Sequence, residues 1–143
     1  MILIDANLLL YAYDRASPHH DRAKLWLELA LNGLEPVGFG WVTLLAFLRL
    51  TTNPRVFQRP LAVADAVGIV QWWLSLPAVG VVEPTQNHLP LLLGAATGGQ
   101  ARGPMLMDAH LAALAIEHGA TLCTTDRDFA RYPGLRLANP LAI

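Results

Sequence analysis

Residues 104–129, PMLMDAHLAALAIEHGATLCTTDRDF, decide the fold. Leu106, Ala109, Ala112, Ala113 and Ile116 recur at helical spacing, Pro104 suits a first helical turn, and Gly119 stands where a left-handed residue ends a helix. Together they predict a helix of about a dozen residues. Thr121 to Thr124 is a β-favouring run too short for a helix, and Asp126 stops it. Asp108 therefore falls in the first turn of the helix, while Asp126 and Asp128 fall just beyond the carboxyl end of the strand. In an open α/β sheet that edge is where ligands bind.

Upstream, Met1 to Ile4 is apolar without alternation, as expected of a central strand buried on both faces, and it ends at Asp5. Asn7 to Tyr13 predicts a short helix. Ser17-Pro18 opens another that runs through Trp26 to about Leu31, where Asn32-Gly33 ends it. Pro36 to Phe39 is a second strand, and Trp41 to Leu50 a helix apolar nearly all round, broken at Asn53-Pro54. Pro60 begins an amphipathic segment carrying Val63, Val67, Val70, Trp72, Trp73 and Leu74. Pro77 stops it, Val79 to Val82 forms a strand, and His88 to Ala96 a further helix. Gly98 to Gly103 is expected to be a flexible basic loop. Beyond Asp128, a helical turn over Phe129 to Tyr132 leads to a last strand, Leu135 to Leu137. Alternating strands and helices predict a three-layer α/β/α sandwich with a mainly parallel central sheet, one domain over residues 1–143.

Composition narrows the class. The formal charge of -1 gives no bulk attraction to nucleic acid, although nine of the ten basic side chains are arginines, Lys24 being the exception. One cysteine, Cys123, excludes an internal disulfide framework and is expected to be an inert core thiol. The apolar N-terminus lacks a basic leader and is interrupted by Asp5 and Asn7. No run approaches the ~18 apolar residues of a membrane helix. A cytoplasmic protein without membrane contact is expected. The hydrophobic content of 54% is high for a small chain and points to apolar surface covered by a partner or a second copy.

Asp5, Asp108, Asp126 and Asp128 are the candidate catalytic residues. On this fold they converge at one edge of the sheet. Carboxylates at close quarters do not all stay ionised without a cation, and an all-oxygen set suits Mg²⁺ or Mn²⁺. Such an ion lowers the pKa of a bound water and steadies an in-line phosphoryl displacement, so the chemistry implied is phosphodiester hydrolysis. Taken singly, each acid has a structural alternative: Asp5 capping the helix near Asn7, Asp108 favouring a helix N-terminus, Asp128 capping the turn after it. Glu117 points away from Asp108 and is expected to be solvated. Asp14, Asp21, Glu28, Glu35, Asp65 and Glu83 read as surface or helix-start acids. His110 faces away from Asp108, His118 complements a helix dipole, and His19, His20 and His88 lack ligand spacing. Asn7, Arg49, Arg102 and Arg127 are the candidate substrate contacts, with Arg55 and Arg131 as further phosphate candidates.

The runs IDANLLLYAYD, FLRLTTNPRVF and DAHLAALAIEHGATLCTTDRDFARYPGLR, with the closing NP, resemble the PIN-domain ribonuclease toxins of the VapC type, over essentially the whole chain. The resemblance implies a homodimeric α/β/α sandwich with Mg²⁺- or Mn²⁺-dependent endoribonuclease activity on structured RNA, tRNA or rRNA, that inhibits translation. It also implies a cognate VapB-like antitoxin that blocks the site. Asp5, Asp108 and Asp126 match the family's metal-binding acids, and Asp128 an auxiliary one. One position departs from the pattern. Members commonly carry a glutamate three residues after a Thr or Ser in the helix after the second strand, and counting from Thr43 lands on Ala46. This raises an alternative, a weakened module that binds RNA or an antitoxin without efficient cleavage. A haloacid-dehalogenase phosphatase or a receiver domain fits less well, because the first needs a lysine downstream of a pair like Asp126 and Asp128 and the second one after its last strand, and the only lysine here is Lys24.

Overall fold

A computed structural model describes residues 1–142. Five short strands, β1 (Ile2–Ile4), β2 (Val37–Phe39), β3 (Val79–Val81), β4 (Thr121–Cys123) and β5 (Arg136–Ala138), form one sheet in the order β3-β2-β1-β4-β5. Every pairing is parallel, so the sheet is wholly rather than mainly parallel among the described residues. Parallel neighbours need crossovers, and here helices supply them: α1 (Ala6–Tyr13), α2 (His20–Leu31), α3 (Trp41–Thr51), α4 (Val63–Ser75), α5 (His88–Gly98) and α6 (Met105–Glu117). A 3₁₀ turn spans Arg127–Arg131.

The period of two along each strand sorts the core into two layers. Ile4 and Cys123 join Leu8, Leu9, Leu27, Phe47 and Trp73 on the face covered by α1 to α4. Leu3 and Leu122 join Ala109, Ala112, Leu114 and Phe129 on the face covered by α5 and α6. β1 sits in the middle, hydrogen-bonded to β2 on one side and β4 on the other, as its unbroken apolar run predicts.

Two details depart from the sequence pattern. The buried residues of α6 are Ala109 and the run Leu111 to Ala115, whereas Leu106 is 42% exposed. The helix is enclosed nearly all round, which hides its period, and its alanines let neighbours approach closely. The adjacent tryptophans also separate. Trp73 is fully buried, stacked on Phe39 at 5.3 Å and tilted against Phe47 at 4.7 Å, while Trp72 is half-exposed.

The stretch after α5 is packed rather than loose. Gly99 N–H and Ala101 N–H donate to the Ala95 and Ala96 carbonyls at 2.8 Å each, and Gly103 takes a φ of +59°. A Cβ on Gly99 would stand 2.7 Å from the Tyr132 ring. Gly99→Ala is therefore expected to destabilise the fold by about 1–3 kcal/mol, measurable by denaturant melts, because a ring pinned in the core yields little. Gly119 has the left-handed φ, +63°, expected of a helix stop. No helix of the described residues is long and apolar enough to cross a membrane.

Candidate metal and phosphodiester site

The carboxyl edge of the sheet gathers the acids from three chain segments. Asp5 ends β1 and caps α1: its Oδ1 accepts the Ala6 N–H at 2.8 Å. Capping uses one oxygen only. Its Oδ2 accepts the hydroxyl of Thr124 at 2.7 Å, and its own N–H donates to the Cys123 carbonyl at 2.9 Å, tying the ends of β1 and β4 together. Asp126 caps the 3₁₀ turn through the Asp128 N–H at 2.9 Å, so Asp126 rather than Asp128 is the cap there. Asp108 stands exposed in the first turn of α6.

Thr124 joins these groups. Buried to 4% exposure, its hydroxyl donates to Asp5, accepts the Asp126 N–H at 3.0 Å, and lies 3.4 Å from the Asn7 amide nitrogen. That nitrogen donates more closely to the Thr125 hydroxyl, at 2.9 Å. Sequence reasoning missed both threonines because Thr in a β-favouring run passes as a strand former. Their position, immediately past a strand at the ligand edge, was the available signal. The Asn7 Oδ1 is buried without a hydrogen-bond partner, an arrangement native structures rarely leave unfilled.

The electrostatics follow from this juxtaposition. Burial raises the carboxyl pKa of Asp5 above the ordinary value, opposed by the Thr124 and Ala6 hydrogen bonds and reinforced by the charge of Asp126. Asp108 is raised by partial desolvation and then by Asp5, Asp126 and Asp128, with Arg131 offsetting them. Even so, no three Asp, Glu, His or Cys side chains among the described residues are grouped closely enough to grip an ion directly. Mg²⁺ does not require that: it keeps several waters and is bound by one or two carboxylates together with substrate phosphate. The oxygen-only donors and the unpartnered Asn7 Oδ1 suit such a cation.

Of the basic candidates, Arg127 lies exposed between Asp126 and Asp128, and Arg102 is exposed in the segment leading to α6. Arg131 counters the charge of Asp108. Arg49 sits in the last turn of α3, about 12 Å along the helix from the edge where that helix begins. No described arginine is paired with a carboxylate, Arg55 included. Ala46 lies half-buried in α3, one turn after Thr43, whose buried hydroxyl has no partner.

Glu117 corrects an expectation. It is not solvated: its side chain is 2% exposed and bonded to His88 and Thr85 from outside α6, partners that helix geometry alone does not reveal. His118 donates to the Glu83 carbonyl at 2.7 Å. Cys123 is the inert thiol expected, buried, with its pKa pushed up to about 11 by burial and the charge of Glu35. It should resist iodoacetamide at pH 8 in the native protein and react only after unfolding, which mass spectrometry would register. A cleft of about 750 Å³ lined by Tyr13, Leu27, Phe57, Leu61 and Trp72 lies away from the acids and plays no part in their chemistry.

With this parallel sheet and its acidic edge in place, the chain matches the PIN domain over residues 2–135. The chain belongs to the PIN-domain family. It is 43% identical over 143 residues to Ribonuclease VapC37 of Mycobacterium tuberculosis, covering 100% of this chain and 99% of that one. In fold it is similar to VapBC2 of Rickettsia felis, solved bound to a promoter DNA fragment (TM-score 0.70, 20% identity, 97% and 98% coverage). It is also similar to VapC20 of Mycobacterium tuberculosis, described as a sarcin–ricin loop cleaving toxin (TM-score 0.66, 16% identity, 95% and 99% coverage).

Proposed function

We propose that this chain is a Mg²⁺- or Mn²⁺-dependent endoribonuclease, the toxin of a type II toxin–antitoxin pair, acting on structured RNA, tRNA or rRNA, in the cytoplasm. The observation that carries the reading is the meeting of Asp5, Asp108, Asp126 and Asp128 at one edge, where two of them are held above their ordinary pKa by burial and by one another. Membership of the PIN-domain family and the ribonuclease relatives support it.

In this reading Asp5, Asp108 and Asp126 would hold the cation, in part through its waters, and Asp128 would assist. The cation supplies a more acidic water and charge stabilisation for an in-line displacement at phosphorus. Ala6 N–H and the Thr124 hydroxyl fix the orientation of the Asp5 carboxylate before substrate arrives. Arg127 and Arg102 approach the RNA backbone phosphates, with Asn7 and Arg49 as further substrate contacts. A VapB-like antitoxin occludes the edge, and a second copy covers apolar surface such as Leu89 and Leu93, which are 74% and 69% exposed.

Ala46 sustains a second reading, a module that binds RNA or the antitoxin but cleaves poorly. Incubating total RNA with the purified chain in Mn²⁺, with an EDTA control, and sequencing the new 5′ ends separates the two. Discrete Mn²⁺-dependent ends are expected. RNA that is bound yet stays intact would establish the binding module instead. Light scattering of the isolated chain is expected to give a dimer, and a monomer at high concentration would remove the second copy from this account.

A further inference from the structure

The contact between α5 and α6 contains a buried polar chain that the acidic edge does not use. Glu117 Oε1 accepts the Nδ1–H of His88 at 2.9 Å, and its Oε2 accepts the Thr85 hydroxyl at 3.0 Å and the Thr85 N–H at 3.4 Å. His88 Nε2 and His110 Nδ1 are 2.9 Å apart. With the Glu117 carboxylate accepting the His88 Nδ1–H, the His88 Nε2 and His110 Nδ1 share one hydrogen bond.

His110 and Glu117 are seven residues apart, so they share one face of α6 and lie about 10 Å apart along its axis. One imidazole at the start of α5 thus grips α6 at two levels. Around it the packing is apolar, Leu91, Leu92 and Ala95 against the alanines of α6. Such contacts are non-directional, and close packing supplies only part of the resistance to sliding of one helix along the other. The polar chain resists it strongly, because a shift of one turn, about 5.4 Å, would strand the Glu117 carboxylate without donors. The start of α6 is held by few side chains: Pro104 offers no cap, the Tyr132 hydroxyl reaches the Met105 carbonyl at 3.3 Å, and the Arg131 guanidinium reaches the Met105 Sδ at 3.5 Å. Asp108 rides on that first turn.

We infer that the Glu117–His88–His110 chain sets the axial register of α6 and thereby the height of Asp108 at the acidic edge, which makes His88 a positioning residue. The inference rests on the nuclease reading above. Two variants test it. His88→Gln keeps a donor for Glu117 and an acceptor for His110. The pair His88→Leu with Glu117→Leu removes the chain without leaving a buried charge.

RNA cleavage at saturating Mn²⁺ and calorimetric Mn²⁺ binding without RNA are measured on each folded protein. The pair variant is expected to lose at least about tenfold in kcat and in Mn²⁺ affinity with an unchanged KM for RNA, while His88→Gln stays within roughly threefold of the parent. A pair variant with parental kcat and Mn²⁺ affinity, or a His88→Gln variant as poor as the pair, overturns the inference. Should the pair not fold, Glu117→Gln, which removes the carboxylate that binds both His88 and Thr85, carries the same comparison. A parent that binds Mn²⁺ but cuts no RNA sinks the nuclease reading, and Mn²⁺ affinity then decides the register question alone.

Discussion

Asp108→Asn is expected to lower RNA cleavage by about 10²–10⁴-fold while raising the melting temperature of the metal-free protein at pH 7. The two effects share one origin. Desolvation and the carboxylates of Asp5, Asp126 and Asp128 hold the Asp108 pKa above its ordinary value, so the ionised form is disfavoured in the fold. For an acid raised on folding, the native state binds more protons than the unfolded chain, and stability falls as pH rises from the unfolded to the folded pKa. At pH 7 the whole of that penalty is present. Asparagine removes it, and because Asp108 is exposed the gain is a solvent-screened one of about 1–2 °C. Melting in EDTA across pH 4–7 should show a smaller decline with rising pH for the variant than for the parent. An Asp108→Asn protein that melts lower than its parent and retains full cleavage would contradict both halves.

Thr124→Val should have the next largest consequence. Valine keeps the shape and removes a hydroxyl that serves the Asp5 carboxylate, the Asp126 backbone N–H and, more distantly, the Asn7 amide. Leaving such half-buried groups unpaired costs about 1–3 kcal/mol. Groups that orient a metal-binding carboxylate typically carry about 10–100-fold in affinity or activity when lost, so cleavage should fall by that much. Thr124→Ser retains the hydroxyl and should recover most of the rate. Denaturant melts and single-turnover cleavage of the three proteins check this, and indistinguishable rates for Val and Thr would remove Thr124 from the site.

Local signals carried most of the architecture. Each strand was framed by Pro, Gly or Asp, and each helix by a breaker, so β1, β2 and α6 fall within a residue or two of their expected bounds. The order of the strands was not legible, because it depends on pairings such as Ile4 with Cys123 that no short window contains. The same limit explains the site. Aspartates at strand ends announce themselves, whereas the bond from Thr124 to Asp5 joins residues about 120 apart in the chain. Glu117 was misjudged for a related reason: the helix face it occupies looks outward until α5 is laid against it. Trp72 and Trp73 show the reverse case, where composition foresaw apolar excess but only packing tells which ring is spent in the core.

The central place of β1 bears on the order in which the protein comes together during its synthesis. Its first neighbour, β2, emerges early, but its second, β4, follows β2 by 84 residues, from Phe39 to Cys123. At about 5–20 residues per second the ribosome needs roughly 4–17 s to cover that distance. Until then Asp5 has neither Thr124 nor Asp126 beside it, so the acidic edge is incomplete while the chain is being made. Chains arrested on the ribosome before Thr121 are accordingly expected to leave RNA uncut.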